Sequence, residues 1–346
     1  MKQGSAVHKV LEDQVHDTVP VEIQTREDHW GLRIWNIIQR LRVLRVTGMT
    51  RELEVWGIID GQVVNGIIDE LSFKCTDQAL EDLLSDEETN QKQKVSNPPP
   101  GANQPIISEY FKGPEGKKLE TQSGPTSERK IYITDVKTRG KSTLPNGVSL
   151  RPTRMQLMLY RKLLFNLAYH QVDAEIIFKR YALNSSANFS ESLISQLGAL
   201  DLNFTKSATE DSYAPVESNV DTVIELLTHN SLKELWKMMI QEFQMTIPEG
   251  ARSISKVLNA EFRKADDGSI IGSKTFAYHD DELQPYLDDE MSWWKGERDA
   301  SGVDIEEAFK CGSCEFAEGC SWRIHRVEDA VQKSRLKTIA RRKSAI

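Results

Sequence analysis

The chain has 346 residues, 39% of them apolar and 28% charged, with a formal net charge of −8. That length suits one large domain or two ordinary ones, and the composition is that of a water-soluble globular protein. No uncharged apolar run approaches the ~18 residues of a membrane span, and the negative balance argues against a general coat for nucleic acid.

The segment Met1–His8 has neither the apolar core of a secretion signal nor the Arg/Ser-rich character of a transit peptide. Residues 5–16 are expected to form a helix with His8, Leu11, Glu12 and Val15 on one face. A second helix is expected from Glu27, striped by Trp30, Ile34, Ile37, Leu41 and Leu44 and stopped at Gly48. Leu53, Val55 and Gly57 alternate with Glu52, Glu54 and Trp56, a strand pattern, and Asp60-Gly61 is a hairpin turn signal. Val63–Phe73 returns as the second strand, carrying Asn65-Gly-Ile-Ile-Asp69-Glu-Leu71.

From Thr76 to Arg129 the periodicity fails. Residues 75–129 hold ten Asp/Glu and six Lys/Arg and include Pro98–Pro100, so 76–129 reads as a low-complexity, largely disordered insertion. Order resumes with a strand over 130–139, a turn at Leu144-Pro-Asn-Gly, and a helix opened by Pro152 that runs to about Tyr169. Met155, Leu159 and Leu163 give that helix its apolar face. Residues 172–205 are mixed in pattern, and 219–244 reads as one helix. A second hairpin is expected from 255–264 and 269–278 around Asp267-Gly268, then a helix over 280–294. The resulting division is 1–75 and 130–325 as the two parts of one core, 76–129 as the insertion, and 326–346 as a basic tail.

Two stretches stand out against the acidic average. Residues 130–162 hold eight Lys/Arg and one Asp, and 326–346 holds seven Lys/Arg against two acids. Such a distribution suits a protein that grips phosphates at one place, whereas the tail alone reads as solvated.

The chemistry begins with Asp135-Val-Lys137. Residues two apart on a strand share a face, so a carboxylate able to bind Mg²⁺ lies beside an ammonium. Asp69, on the neighbouring proposed strand, offers a second hard oxygen donor. Gln156 and Tyr160, four apart, share a helix face. Each feature alone is common. Downstream, Cys311, Cys314 and Cys320 gather three of the four cysteines within ten residues, which is metal-site spacing short of one ligand. So few cysteines make no disulfide framework, and the compartment is expected to be reducing.

In their order these motifs resemble the RecB-like branch of the PD-(D/E)xK nucleases. Gly4-Ser-Ala-Val-His8 matches its G-x-x-x-H helix and Gly66-Ile-Ile-Asp69 its G-x-x-D strand. Asp135-Val-Lys137 matches the (D/E)-x-K strand, and Gln156-Leu-Met-Leu-Tyr160 the Q-x-x-x-Y helix. With Cys311, Cys314 and Cys320-Ser-Trp322-Arg323 the whole is similar to the exonuclease V family. The resemblance implies an α/β fold, with a central mixed sheet flanked by helices and a C-terminal iron–sulfur knuckle. It implies an Mg²⁺-dependent exonuclease acting on single-stranded DNA in DNA repair or genome maintenance. His8, Asp69 and Asp135 would ligate the metal, Lys137 would be the catalytic lysine, and Gln156 and Tyr160 would steady DNA or site. Cys311, Cys314 and Cys320 would hold a [4Fe–4S] cluster.

The resemblance leaves room for a single-strand-binding protein as a partner, implies a monomer free of the membrane, and implies a mitochondrial or nuclear location. Its first cluster cysteine lies upstream of the G-x-x-x-H helix, and no counterpart precedes residue 4, so the expectation is a chain lacking an N-terminal segment. Cys75 lies six residues past Asp69, about 20 Å along a strand that rises ~3.3 Å per residue. A rival site completes the trio with His325 as a Cys₃His zinc centre. Tyr132, Tyr160 and Trp322 are candidate base-stacking aromatics. An endonuclease or RNase on the same fold, and a catalytically inactive nucleic-acid-binding protein, stand as alternatives.

Overall fold

The structure, a computed structural model, describes residues 21–96, 129–207 and 219–343. The helix expected over 5–16, with His8, lies outside the described residues. The chain divides into two compact units, one of Met1–Ser142 with Leu157–Tyr278, the other of Thr143–Gln156 with His279–Ile346.

The first unit begins with helix α1, Arg26–Thr47. Its start is a reciprocal cap: Asp28 N–H donates to Thr25 Oγ1 at 2.9 Å, and Thr25 N–H donates to Asp28 Oδ2 at 3.0 Å. It stops at Gly48, whose φ of 85° is a left-handed cap that a side chain would strain. The buried stripe is the expected one, Trp30, Ile34, Ile37, Leu41 and Leu44.

Strands β1 (Met49–Ile59) and β2 (Gln62–Ser72) form the first hairpin. Asp60 and Gly61 both have positive φ, 49° and 75°, as a two-residue turn between twisted strands requires. Strand β3 (Ile131–Arg139) lies against β2, then β4 (Ile254–Lys264), then β5 (Ile270–Ala277). All neighbours are antiparallel except β3 and β4, which run parallel. The result is the expected α/β architecture with a mixed five-stranded sheet.

The structure departs from the sequence expectation in three places. Helix α2 (Gln78–Ser96) occupies the start of the stretch read as structureless. Asp77 Oδ1 caps it by accepting from Leu80 N–H at 3.1 Å. Glu81, 7% exposed, accepts from Lys130 Nζ at 2.6 Å and from Ser255 Oγ at 2.5 Å. Those partners lie 49 and 174 residues away, so local periodicity carries no trace of them. In the mixed region stand α4 (Ala174–Arg180) and α5 (Glu191–Ser207), after α3 (Arg151–Ala168). The single helix expected over 219–244 is two, α6 (Asn219–Thr228) and α7 (Leu232–Thr246). Ser231, in extended conformation, accepts from Glu234 N–H and restarts the helix, while Asn230 Oδ1 accepts from Phe189 N–H at 2.9 Å.

An aromatic cluster joins α1, β1, α4 and α7. Trp56 stacks on Trp236 at 5.4 Å between centroids, Trp30 tilts against Trp56 at 5.2 Å, and Phe178 meets Trp236 edge-on. Helix α3 crosses the β1–β2 hairpin so closely that a Cβ on Gly57 would lie 2.4 Å from Leu163 Cδ2.

The second unit holds the first turns of α3, helix α8 (Asp280–Trp294), a 3₁₀ segment (Ile305–Ser313) and helix α9 (Ser321–Lys343). Arg154 pairs with Glu282 at 2.5 Å, and the Trp322 indole lies directly over Gly302. Among the described residues no helix is long and apolar enough to cross a membrane.

Arg161, 5% exposed, fastens α3 to the start of β4. It donates to the Ser255 carbonyl at 2.8 Å and the Ile254 carbonyl at 2.9 Å, with its guanidinium 4.4 Å over the Tyr278 ring. Arg161→Met keeps the stem and strands those buried carbonyls, so the first unit is expected to lose about 2–3 kcal/mol. The midpoint of urea unfolding reads this loss.

Candidate active site

Two ladders meet β2 and both falter at Asp69. The β1–β2 ladder passes from Arg51↔Glu70 to Leu53↔Ile68, and Glu52, between them, holds a left-handed φ of 53°. For a non-glycine residue that conformation costs on the order of 1 kcal/mol. The β2–β3 ladder is only three pairs long, Ser72↔Tyr132, Leu71↔Ile133 and Glu70↔Thr134. The β3–β4 ladder runs on to Arg139↔Lys264. The sheet therefore forks between β2 and β3 one residue short of Asp69 and Asp135, which the same register would set opposite each other.

The side chains bridge the fork. Asp69 Oδ2 accepts from the Val136 backbone N–H at 2.6 Å, and both carboxylates are buried, Asp69 at 9% and Asp135 at 1% exposure. Lys137 Nζ lies 2.8 Å from Asp135 Oδ2 and 3.1 Å from Oδ1, with its own side chain 32% exposed. The site is thus a pair of buried carboxylates and one ammonium that reaches both Asp135 and solvent. Two buried carboxylates with a lysine as near counter-charge are a donor set of hard oxygens. That chemistry fits a small divalent cation.

Tyr160 is brought to the same strand. A Cβ on Gly66 would lie 2.5 Å from its Cε1, so the ring rests on the glycine of Gly66-Ile-Ile-Asp69. With Tyr160 only 8% exposed, this is a packing contact between two of the predicted motifs. Gln156 lies one helical turn earlier on α3, at the last residue of the second unit's first segment. Tyr132, a candidate stacking residue, is instead buried at 7%. Burial and a hydrogen bond with Cys75 push its phenol well above its ordinary pKa.

Sequence reasoning missed a charged cluster on the strands beside the fork, on the sheet face opposite to Asp69 and Asp135. Burial pushes the Glu70 carboxyl up, Arg51 at 2.7 Å pulls it down, and Glu261 raises it again. Arg263 pairs with Glu261 at 2.6 Å on β4. Alternation along β2 and β4 marks these as one charged face, but only the strand order makes them neighbours.

In the second unit Cys311 lies within the 3₁₀ segment, Cys314 ends it, and Cys320 precedes α9. All are free thiols, a soft donor set suited to iron–sulfur or zinc. Among the described residues no three His, Cys, Asp or Glu side chains converge to hold a metal ion. His325 faces Asp329 at 3.9 Å and is largely exposed, and Cys75 lies in the first unit beside Tyr132.

A family model described as "Exonuclease V - a 5' deoxyribonuclease" matches residues 1–323. The chain is similar to "Exonuclease V" of Danio rerio, 25% identical over 323 residues, which are 93% of this chain and 61% of that protein. It is also similar to "Exonuclease V, mitochondrial" of Kluyveromyces lactis, 26% identical over 205 residues, 54% of this chain and 35% of that protein. The chain thus spans less than two thirds of the length of these curated relatives.

Gly66→Ala forces a methyl into the Tyr160 ring and is expected to cost about 1–3 kcal/mol. Combining it with Tyr160→Ala removes the clash, so the double variant should lose less than the sum of the singles by roughly 0.5–3 kcal/mol. Urea unfolding of the four proteins in the cycle measures that coupling.

Proposed function

The chain belongs to the exonuclease V family, and on that premise we propose that it is a metal-dependent exonuclease of single-stranded DNA, built on a RecB-like PD-(D/E)xK core. The observation that carries the reading is the fork itself. Asp69 is hydrogen-bonded to β3 at Val136, next to an Asp135 held by Lys137. The description of the family as a 5′ deoxyribonuclease supports a 5′ polarity.

Asp69 and Asp135 would hold Mg²⁺, with His8 as a further ligand, and the ion when bound would polarise the phosphoryl oxygen and acidify water. Everything else falls to the chain. The Val136 N–H fixes the Asp69 carboxylate by committing one of its oxygens to β3. Burial keeps Asp135 from being solvated and concentrates its charge on whatever enters. Lys137 neutralises Asp135 at rest. When a phosphodiester enters, the ammonium is close enough to solvent to swing onto the non-bridging oxygens, where negative charge grows as water attacks phosphorus. The new P–O bond forms as the bond to the leaving sugar oxygen breaks, and that oxygen takes up a proton. As an ammonium, Lys137 can also orient the attacking water by donating to it, while the proton that the water loses passes to solvent. Tyr160 and Gln156 serve by positioning, Tyr160 through Gly66.

Cys311, Cys314 and Cys320 are proposed as ligands of a [4Fe–4S] cluster with a structural role. The substrate partner is single-stranded DNA, with a single-strand-binding protein as an auxiliary and a monomer as the working form. The mitochondrial designation of the Kluyveromyces lactis relative supports a mitochondrial location, with the nucleus as the alternative and DNA repair as the setting.

Asp135→Asn and Lys137→Ala are expected to slow metal-dependent cleavage of linear single-stranded DNA by about 10²–10⁴-fold while DNA still binds. Single-turnover assays on a labelled strand measure this, with a closed circle as control. Equal cutting of circle and line would replace the exonuclease by an endonuclease. A parent protein that cuts neither would leave a binding protein. Protein purified without air is expected to absorb visible light and to lose that band in Cys311→Ser and Cys314→Ser. A colourless, zinc-containing protein would instead support the Cys₃His site.

A further inference from the structure

Helix α9 is exposed at nearly every residue from Ser321 to Ala340, and nearly all of it lies beyond residue 323, where the family match ends. The family's chemistry therefore gives it no task. Its sequence holds eight Lys/Arg and two acids, Glu328 and Asp329.

The cations are not scattered. At about 100° per residue, Arg323, Arg326, Lys333 and Lys337 fall within a sector of roughly 80°, spread over about 21 Å of helix axis. Both acids lie outside that sector. Arg326 stands 5.5 Å over the Trp322 ring, and Arg323 donates to the Ala317 carbonyl at 2.9 Å, which orients the start of the row. Among the described residues no ion pair engages Lys333 or Lys337.

The same helix exposes Ile324, Val327, Val331 and Ile339, each 44–55% accessible. A lipid surface would need that side to be free of charge, yet Glu328 and Arg335 fall within the same sector. A face buried among acyl chains would not carry them. The feature free of acids is the cationic row, with Ala330 its one uncharged member, and its complement is a line of phosphates.

We propose that this row of α9 is an auxiliary binding site for the phosphates of single-stranded DNA. It holds the strand independently of base sequence. The inference rests on the nuclease reading, because the strand it grips is that enzyme's substrate.

The test uses the full chain with Lys333→Gln and Lys337→Gln together. Neither side chain is engaged in the fold, and glutamine keeps helix propensity. The probe is a fluorescent oligothymidylate, titrated with the metal chelated so that nothing is cut. The slope of log Kd against log salt is expected to fall by about 1.4, with Kd at 0.1 M salt rising on the order of tenfold. The charge-conserving pair Lys333→Arg and Lys337→Arg should restore both. An unchanged slope and Kd in the glutamine variant, beside Asp135-dependent cleavage by the parent, would overturn this inference and leave the nuclease reading standing. A parent that neither binds nor cuts the strand would overturn the nuclease reading itself. Flotation with anionic vesicles that the glutamine pair abolishes, at unchanged DNA affinity, would make α9 a membrane helix instead.

Discussion

The hydrogen bond from the Val136 N–H to the Asp69 carboxylate is the constraint on which the site depends. A continuous β2–β3 ladder would bury both strands in backbone pairing and leave no room between them. Here three pairs hold the strands together and the fourth position opens. One carboxylate then takes over the role of a ladder carbonyl and locks the geometry of the gap. Because β3 is held along its other edge by the longer β4 ladder, the opening falls on the β2 side, and Asp135 stays on a rigid strand.

Much of this was readable in the residues. Gly48, Asp60-Gly61 and Gly268 mark chain reversals by their conformational demands, and all three have positive φ. The order of motifs assigned Asp69, Asp135 and Lys137 to neighbouring strands, and the structure brings them to one fork. What escaped was long-range. Glu81 is fixed by residues 49 and 174 positions away, and without them the start of α2 looks like an acidic linker. The break between α6 and α7 turns on Ser231 and Asn230, whose side chains compete for backbone groups that a periodicity count treats as helical. Gly66 was legible as part of a motif, but not the reason for it, which is the Tyr160 ring lying on the strand.

The two units also differ in how they are held. The first has a dense aromatic and aliphatic core, with the aromatic cluster centred on Trp56 at 1% exposure. Among the described residues the second buries a small apolar set, Met155, Leu283 and Leu287, beside surface pairs such as Arg154–Glu282 and the contact of Trp322 with Gly302. Pairs of that kind contribute ~0–1 kcal/mol each. A cluster linking three cysteines would supply cohesion that these contacts do not, since metal binding couples directly to folding.

The parallel seam between β3 and β4 sets the order in which the molecule can assemble. Its partners, Asp135 with Ala260 and Lys137 with Phe262, are 125 residues apart in the chain. Closing so long a loop is slow compared with forming the local β1–β2 hairpin, because its entropy must be spent before any contact rewards it. During synthesis the strand that bears Asp135 emerges well before the strand that supports it. Until β4 arrives, β3 has one open edge, and the nascent chain carries Asp69 and Asp135 on an unfinished sheet. The fork between β2 and β3 thus gains its final support late, once the chain has been made as far as β4.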